Sequence, residues 1–264
     1  MVGGSGGMLR MDCDGIEQGD LTPPPADLAG ISLFLDFDGT LVEIADAPDA
    51  VIVRPVLIGV LEALADRLPG RIAIVSGRSL AQIDALLGSF TRRIAVAGSH
   101  GAELRQPGID SAVTDPPAAL RSAADALDLY AAQPGLVVER KTMGVALHYR
   151  QAPQFEDGAV ALATDLAARH GLFLQRGKMM VELRADGDKG RAIAALLAAP
   201  AMAGTRPLFF GDDVTDEDGF VVAAAAGGAG ILVGPPRPTA ARHRVADVAA
   251  VLAWAQAALG KERS

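Results

Sequence analysis

The chain has 264 residues, half of them apolar and 21% charged, with 24 Lys and Arg against 32 Asp and Glu. That is ample for one large globular domain or two smaller ones. The net charge of −8 argues against nucleic acid or anionic membrane as a primary partner, and the single Cys13 excludes an internal disulfide framework or a multi-cysteine zinc site.

Residues 1–27, with Gly3-Gly4-Ser5-Gly6-Gly7 and Pro23-Pro24-Pro25, read as a flexible leader. Ile31–Leu35 is a nearly continuous apolar run, as expected of a strand buried on both faces, and ends in Asp36-Phe37-Asp38-Gly39-Thr40. Leu57, Val60, Leu61, Leu64 and Leu68 then recur at helical spacing. A second buried strand, Ile72–Val75, ends in Ser76-Gly77-Arg78, and Ser79 is the N-cap of a helix carrying Leu80, Ile83, Leu86 and Leu87. A third, Ile94–Ala97, ends in Gly98-Ser99-His100-Gly101.

The middle of the chain changes rhythm. Leu120–Ala132 is helical in pattern, Leu136–Thr142 and Val145–Arg150 form a hairpin about Met143-Gly144, and Phe155–His170 is a helix closed by Gly171. Leu172–Gln175 and Met179–Arg184 are two more strands. The parallel rhythm resumes with a helix opened by Lys189 and a strand Leu208–Phe210 ending in Gly211-Asp212-Asp213. A capping box over Thr215-Asp216-Glu217-Asp218, a strand Gly230–Val233 and a helix Val245–Leu259 follow. The expected fold is α/β: a Rossmann-like parallel sheet built from residues 28–104 and 186–264, with an α+β unit of residues 105–185 inserted. The longest apolar run, Phe220–Pro235, is interrupted by four glycines and is too short to span a bilayer.

The strands of the parallel pattern end in polar residues, and in open α/β sheets that edge binds ligands. Asp36 and Asp38 are two apart on an extended segment and so share a face, which suits one as nucleophile and the other as general acid and base. Carboxylates this close need a counter-charge. Hard oxygens of this kind, with Asp212, Asp213 and Asp216, suit Mg²⁺. Ser76, at a strand-to-helix turn, can hold a phosphoryl oxygen. Lys189 lies at a helix start, where the dipole opposes a cation, so it points to a bound anion or carboxylate. An EF-hand fails because Glu217 and Ala223 stand where Gly and Glu are required; no P-loop, dinucleotide fingerprint or complete nucleophile elbow is present.

The set Asp36-Phe37-Asp38-Gly39-Thr40, Ser76, Lys189 and Asp212-Asp213, in this order, resembles the four motifs of the haloacid dehalogenase superfamily of phosphatases. More narrowly, the chain resembles the trehalose-6-phosphate phosphatases. That likeness is carried by Val75-Ser76-Gly77-Arg78, Gly98-Ser99-His100-Gly101-Ala102-Glu103, Glu139-Arg140-Lys141, His148-Tyr149-Arg150, Gly177-Lys178, Glu182-Leu183-Arg184, Asp188-Lys189-Gly190 and Gly211–Glu217. The resemblance implies a Mg²⁺-dependent phosphatase acting through an aspartyl-phosphate, with the α+β unit as a cap. Asp36 is then the nucleophile, Asp38 the acid and base, and Ser76 and Lys189 hold the phosphoryl group. Mg²⁺ falls to Asp36, the Asp38 carbonyl and Asp212, with Asp213 and Asp216 holding its waters. Substrate contacts fall to Thr40, Gly77, Arg78, His100, Glu139, Lys141, His148, Arg150, Lys178 and Glu182. By periodicity Glu139 and Lys141 share one strand face, as do His148 and Arg150, and Lys178 and Glu182. The expected partner is a small sugar phosphate, met by a cytoplasmic monomer or weak oligomer. The rivals are another capped sugar phosphatase, a phosphosugar mutase and a non-catalytic sugar-phosphate sensor.

Overall fold

The computed structural model describes residues 21–45, 51–108, 116–141, 143–177, 179–184 and 189–261. The first half of the core runs β1 (Ile31–Leu35), α1 (Pro55–Arg67), β2 (Ile72–Val75), α2 (Leu80–Leu87), β3 (Ala95–Gly98) and β4 (Glu103–Arg105). The middle runs α3 (Ala118–Tyr130), β5 (Val137–Lys141), β6 (Gly144–His148), α4 (Glu156–His170), β7 (Phe173–Gly177) and β8 (Met180–Arg184). The core then resumes with α5 (Lys189–Leu197), β9 (Arg206–Gly211), α6 (Glu217–Ala225), β10 (Ala229–Val233), β11 (His243–Val245) and α7 (Val248–Gly260).

The larger sheet has the order β11-β10-β9-β1-β2-β3-β4, parallel except for β4. Alternation along its buried strands sorts the core into two layers. Leu33, Leu35, Ile72, Ile74 and Phe210 face α1 and α7, whereas Phe34, Ala73, Val75 and Phe209 face α5 and α6. Strand order reverses between β1 and β9, and the crevice beyond their C-terminal ends is where such sheets take ligands. Asp36 follows β1 and Asp212 follows β9, so the topology alone brings them together.

The smaller sheet is antiparallel, ordered β5-β6-β8-β7. Val145, Leu147, Val181 and Leu183 turn one face onto α3 and α4. The register lines up Glu139 with Ala146 and Ala146 with Glu182, so Glu139, Lys141, His148, Glu182 and Arg184 share the opposite face.

Several local expectations are corrected. The hairpin turns one residue earlier than expected, since Lys141 pairs with Gly144 inside the ladder. β6 ends at His148, so Arg150 lies in the following turn and not beside His148 on a strand. β4 and β11 were not foreseen: three-residue edge strands with charged side chains carry too few apolar positions to show a period. Val245 belongs to β11, and the last helix starts at Val248, where the Asp247 carboxylate caps the Ala250 N–H at 2.8 Å. The capping box before α6 is made by Asp213 and Asp216 about a short 3₁₀ turn, Val214–Asp216, and not by Thr215 and Asp218. The end of the expected leader is docked: Arg244 N–H donates to Thr22 O at 3.1 Å and Trp254 Nε1 to Pro25 O at 3.2 Å. Ser79 with Gln82 forms the expected cap of α2, and left-handed Gly171 ends α4.

Candidate active site

Asp36 is buried at the end of β1, its N–H bonded to the Phe210 carbonyl of β9 at 2.9 Å. Lys189, the first residue of α5, reaches it with Nζ 2.8 Å from Asp36 Oδ1 and 2.6 Å from Asp216 Oδ1. The three side chains are at most 6% exposed. An ammonium at a helix N-terminus is disfavoured by the dipole, and these two carboxylates offset that. Burial opposes the charge on Lys189, but Asp36 and Asp216 outweigh it and raise its pKa far above the ordinary lysine value. Two carboxylates share this one cation. Burial, with the Asp216 charge beside it, therefore raises Asp36 well above the carboxylate range, although Lys189 pulls the other way.

Asp212 completes an acidic cluster. One oxygen each of Asp36, Asp212 and Asp216 lies within 4.8 Å of the others. Burial and the Asp216 charge push Asp212 up to about 6, and its buried Oδ1 has no hydrogen-bond partner among the described residues. Gly39 makes room for it: at φ +76 the backbone favours glycine, and a Cβ there would lie 2.1 Å from Asp212 Oδ2. Surplus negative charge and an unpartnered hard oxygen fit a small divalent cation.

Asp38 is half-buried and held by Arg78, with Nε to Oδ2 and Nη2 to Oδ1 both 2.7 Å. Its carboxylate is therefore turned to the guanidinium and stands outside the acidic cluster, whereas Asp216 stands inside it. Asp213 is exposed and caps the 3₁₀ turn. Ser76 is buried after β2, its Oγ accepting from Arg78 N–H at 3.1 Å. Thr40 is fully buried, and its Oγ1 has no partner among the described residues.

A cavity of about 400 Å³ lies between the two sheets and reaches Gly77; Asp36, Asp38, Thr40, Arg78, Lys189 and Asp212 are not among the residues that line it. Gly77, Ser99 and His100 line its floor, and Glu139, Lys141, Glu182 and Arg184 its roof. Lys141 Nζ pairs with Glu182 Oε2 at 3.0 Å, and His148 Nε2 with Glu139 Oε2 at 2.8 Å. His148 and Arg150 are not among the lining residues, and Lys178 lies outside the described residues.

Two contributors were not assigned a role from sequence. Arg184 stands two residues beyond Glu182, and period-two spacing alone places it on the same face. Arg237 gives no such signal. It lies in the loop after β10, donates to Asp213 O at 2.8 Å and pairs with Glu217, whose other oxygen accepts from Ala240 N–H at 2.7 Å. That loop thereby clamps the turn carrying Asp212.

The trehalose-phosphatase family model matches residues 34–248. The chain belongs to that family. The trehalose-6-phosphate phosphatase of Escherichia coli is 41% identical over 89% of this chain and 88% of its own length. The probable trehalose-phosphate phosphatase of Sinorhizobium fredii is 40% identical over 80% and 81%. In three dimensions the chain superposes on the crystal structure of a trehalose-6-phosphate phosphatase related protein with a TM-score of 0.63. That protein is 26% identical, and the match spans 87% of this chain and 96% of that one. The Rossmann-like fold expected from the strand pattern is thus shared with that structure, and the family match runs from within β1 to the start of α7. No helix of the described residues is long and apolar enough to cross a membrane.

Proposed function

We propose that the protein hydrolyses trehalose 6-phosphate to trehalose and phosphate, as a step of trehalose biosynthesis in the cytoplasm. The observation that carries the reading is the buried Asp36–Lys189–Asp216 cluster with Asp212 at the switch point of the sheet, supported by a polar cavity of about 400 Å³ between the sheets that begins at Gly77, next to Ser76. Asp36 attacks phosphorus in line, the bond to the sugar oxygen breaks, and an aspartyl-phosphate results. Asp38 gives its proton to the departing oxygen and then takes one from the water that cleaves the intermediate. Acting in this way asks Asp38 to part from Arg78, for which an incoming phosphoryl group is a strong alternative partner. Ser76 and Lys189 hold phosphoryl oxygens, and Lys189 keeps Asp36 oriented. Positioning and charge stabilisation of this kind supply most of the catalysis of phosphoryl transfer.

Asp36, Asp212 and the Asp38 carbonyl would hold Mg²⁺, with Asp213 and Asp216 supporting; bound there, the ion neutralises charge on the phosphoryl group. The smaller sheet, within residues 105–185, acts as the cap, its polar face offering Glu139, Lys141 and Glu182 to sugar hydroxyls while water is excluded. Phosphate release from trehalose 6-phosphate, sucrose 6-phosphate, glucose 6-phosphate and mannose 6-phosphate, with and without Mg²⁺, tests the reading. Trehalose 6-phosphate is expected to give the highest kcat/KM, and only with the metal. Equal rates across the panel would discard the assigned sugar.

Two predictions concern the metal. Its ligands must be ionised, so protons compete with it. With Asp212 pushed up to about 6, Mg²⁺ affinity is expected to fall at least about tenfold between pH 7 and pH 5. A Kd from titration calorimetry that stays level over that range would refute this. Arg237→Ala frees the turn bearing Asp212, and groups that orient a metal ligand are worth about 10- to 100-fold in affinity. The same titration should therefore show at least a tenfold weaker Kd; an unchanged Kd would leave Arg237 a purely architectural role.

A further inference from the structure

Ser99 and His100 both adopt left-handed backbone conformations, at φ 49 and φ 56. Neighbouring non-glycine residues rarely do so, and the strain persists only where surrounding bonds impose it. Here they do. Ser99 N–H donates to Arg78 O at 2.7 Å and His100 N–H to Ser76 O at 2.9 Å. Ser99 Oγ donates to Glu103 Oε1 at 3.0 Å, and Glu103 Oε2 accepts from Leu80 N–H at 2.8 Å. The loop after β3 is thus fastened to the loop after β2.

The strain places one side chain. The His100 imidazole lies against Gly77, where a Cβ would approach Nε2 to 2.6 Å. Nε2 faces Arg184 Nη1 at 3.0 Å. A guanidinium has only donors, so Nε2 must accept and the ring proton must sit on Nδ1. Burial, followed by the charges of Lys189 and Arg184, lowers the His100 pKa to about 4, which keeps the ring in that neutral form. Arg184 Nε is buried and has no partner among the described residues, so the bond to His100 is what orients the guanidinium. Arg184 ends β8, two residues from Glu182 on the polar face of the smaller sheet.

We propose that His100 is the acceptor that pins Arg184, and that this bond, in place of a sugar contact by His100, sets the polar face of the smaller sheet over the catalytic rim. Both are positioning residues. The inference rests on the reading that this face recognises the sugar. It explains why the chain holds a strained histidine against a glycine at this point: the ring must project from the larger sheet toward a residue of the smaller one.

The test is a double-mutant cycle on the full chain with Mg²⁺, using His100→Asn, Arg184→Met and the pair. Asparagine tolerates the left-handed backbone but is too short to reach Arg184, so the fold of the loop is kept. Each single change is expected to raise KM for trehalose 6-phosphate about tenfold, with kcat within about threefold, and the pair to do no worse than either alone. The loss in kcat/KM on p-nitrophenyl phosphate, which has a phosphoryl group but no sugar, should be at least about fivefold smaller. Losses that multiply in the pair, or equal losses on the two substrates, would overturn the pin alone. A wild-type enzyme that cleaves p-nitrophenyl phosphate but not trehalose 6-phosphate would overturn the substrate reading and the pin with it.

Discussion

Asp36→Asn is expected to lower kcat at least about 10⁴-fold while leaving the protein folded. The change is isosteric and keeps the amide bonded to Phe210 O, so the end of β1 has no reason to move. It removes one of the two carboxylates paired with Lys189 but leaves Asp216 at 2.6 Å, and it removes a carboxylate whose charge is opposed first by burial and then by Asp216 beside it. Thermal stability should therefore change little, whereas an amide cannot replace a carboxylate as the attacking group. Rapid acid quench with radiolabelled substrate separates this role from weakened metal binding. Wild-type protein should carry labelled phosphate during turnover, and the variant none at any Mg²⁺ concentration. Labelled variant protein, or a kcat reduced less than tenfold, would move the nucleophile to another residue.

Much of this site is legible in the sequence because parallel strands have a simple consequence. An apolar run buried on both faces must end where polar groups begin, and parallel strands all end at the same edge. Asp36, Ser76 and Asp212 can therefore be brought together without any coordinates. Lys189 stands out because a cation at a helix start needs an explanation, which the structure supplies as two carboxylates. Pairing is harder to read. Nothing in the spacing distinguishes Asp216 beside Lys189 from Asp38 beside Arg78, because both depend on rotamers and on how two loops meet. Arg237 and β11 are invisible for a related reason: Arg237 meets the Asp213 carbonyl and the Glu217 carboxylate only because two loops come together, and β11 forms by edge pairing that its three residues do not signal. The smaller sheet lies between. Alternation assigns Glu139, Lys141 and Glu182 to one face, but where a strand ends decides whether His148 and Arg150 stay together, and strand ends are set by tertiary pairing.

Lys189→Met should have the largest effect on stability. The substitution keeps most of the side-chain length but leaves Asp36 and Asp216 buried without their shared cation, and removing one member of a buried ionic cluster costs about 3–5 kcal/mol. For a chain of this size that corresponds to a fall in Tm of roughly 6–20 °C. The deficit should depend on pH, and its direction is fixed. In the wild type, Lys189 is charged in both the folded and unfolded states from pH 5 to 8, because its folded pKa lies above the ordinary 10.5; its contribution is constant there. In the variant, Asp36 loses the group that lowered its pKa, so its folded value rises further above that of the unfolded chain. Folding is then penalised progressively as pH rises above the unfolded carboxyl value, because the unfolded chain releases a proton that the folded chain keeps. The penalty stops growing only once the folded value is passed; the higher that folded value, the further the penalty grows. The gap in Tm between wild type and variant, measured without divalent metal, should therefore be widest at pH 8 and narrow toward pH 5. A gap of equal size at both ends would mean that Lys189 contributes through packing and not through charge. Added Mg²⁺ should narrow the gap at pH 8 as well, since a cation held by Asp36 and Asp212 would relieve part of the same repulsion. Activity should not return with it if Lys189 holds the phosphoryl group as proposed, because the ammonium that also pairs with Asp36 is still missing.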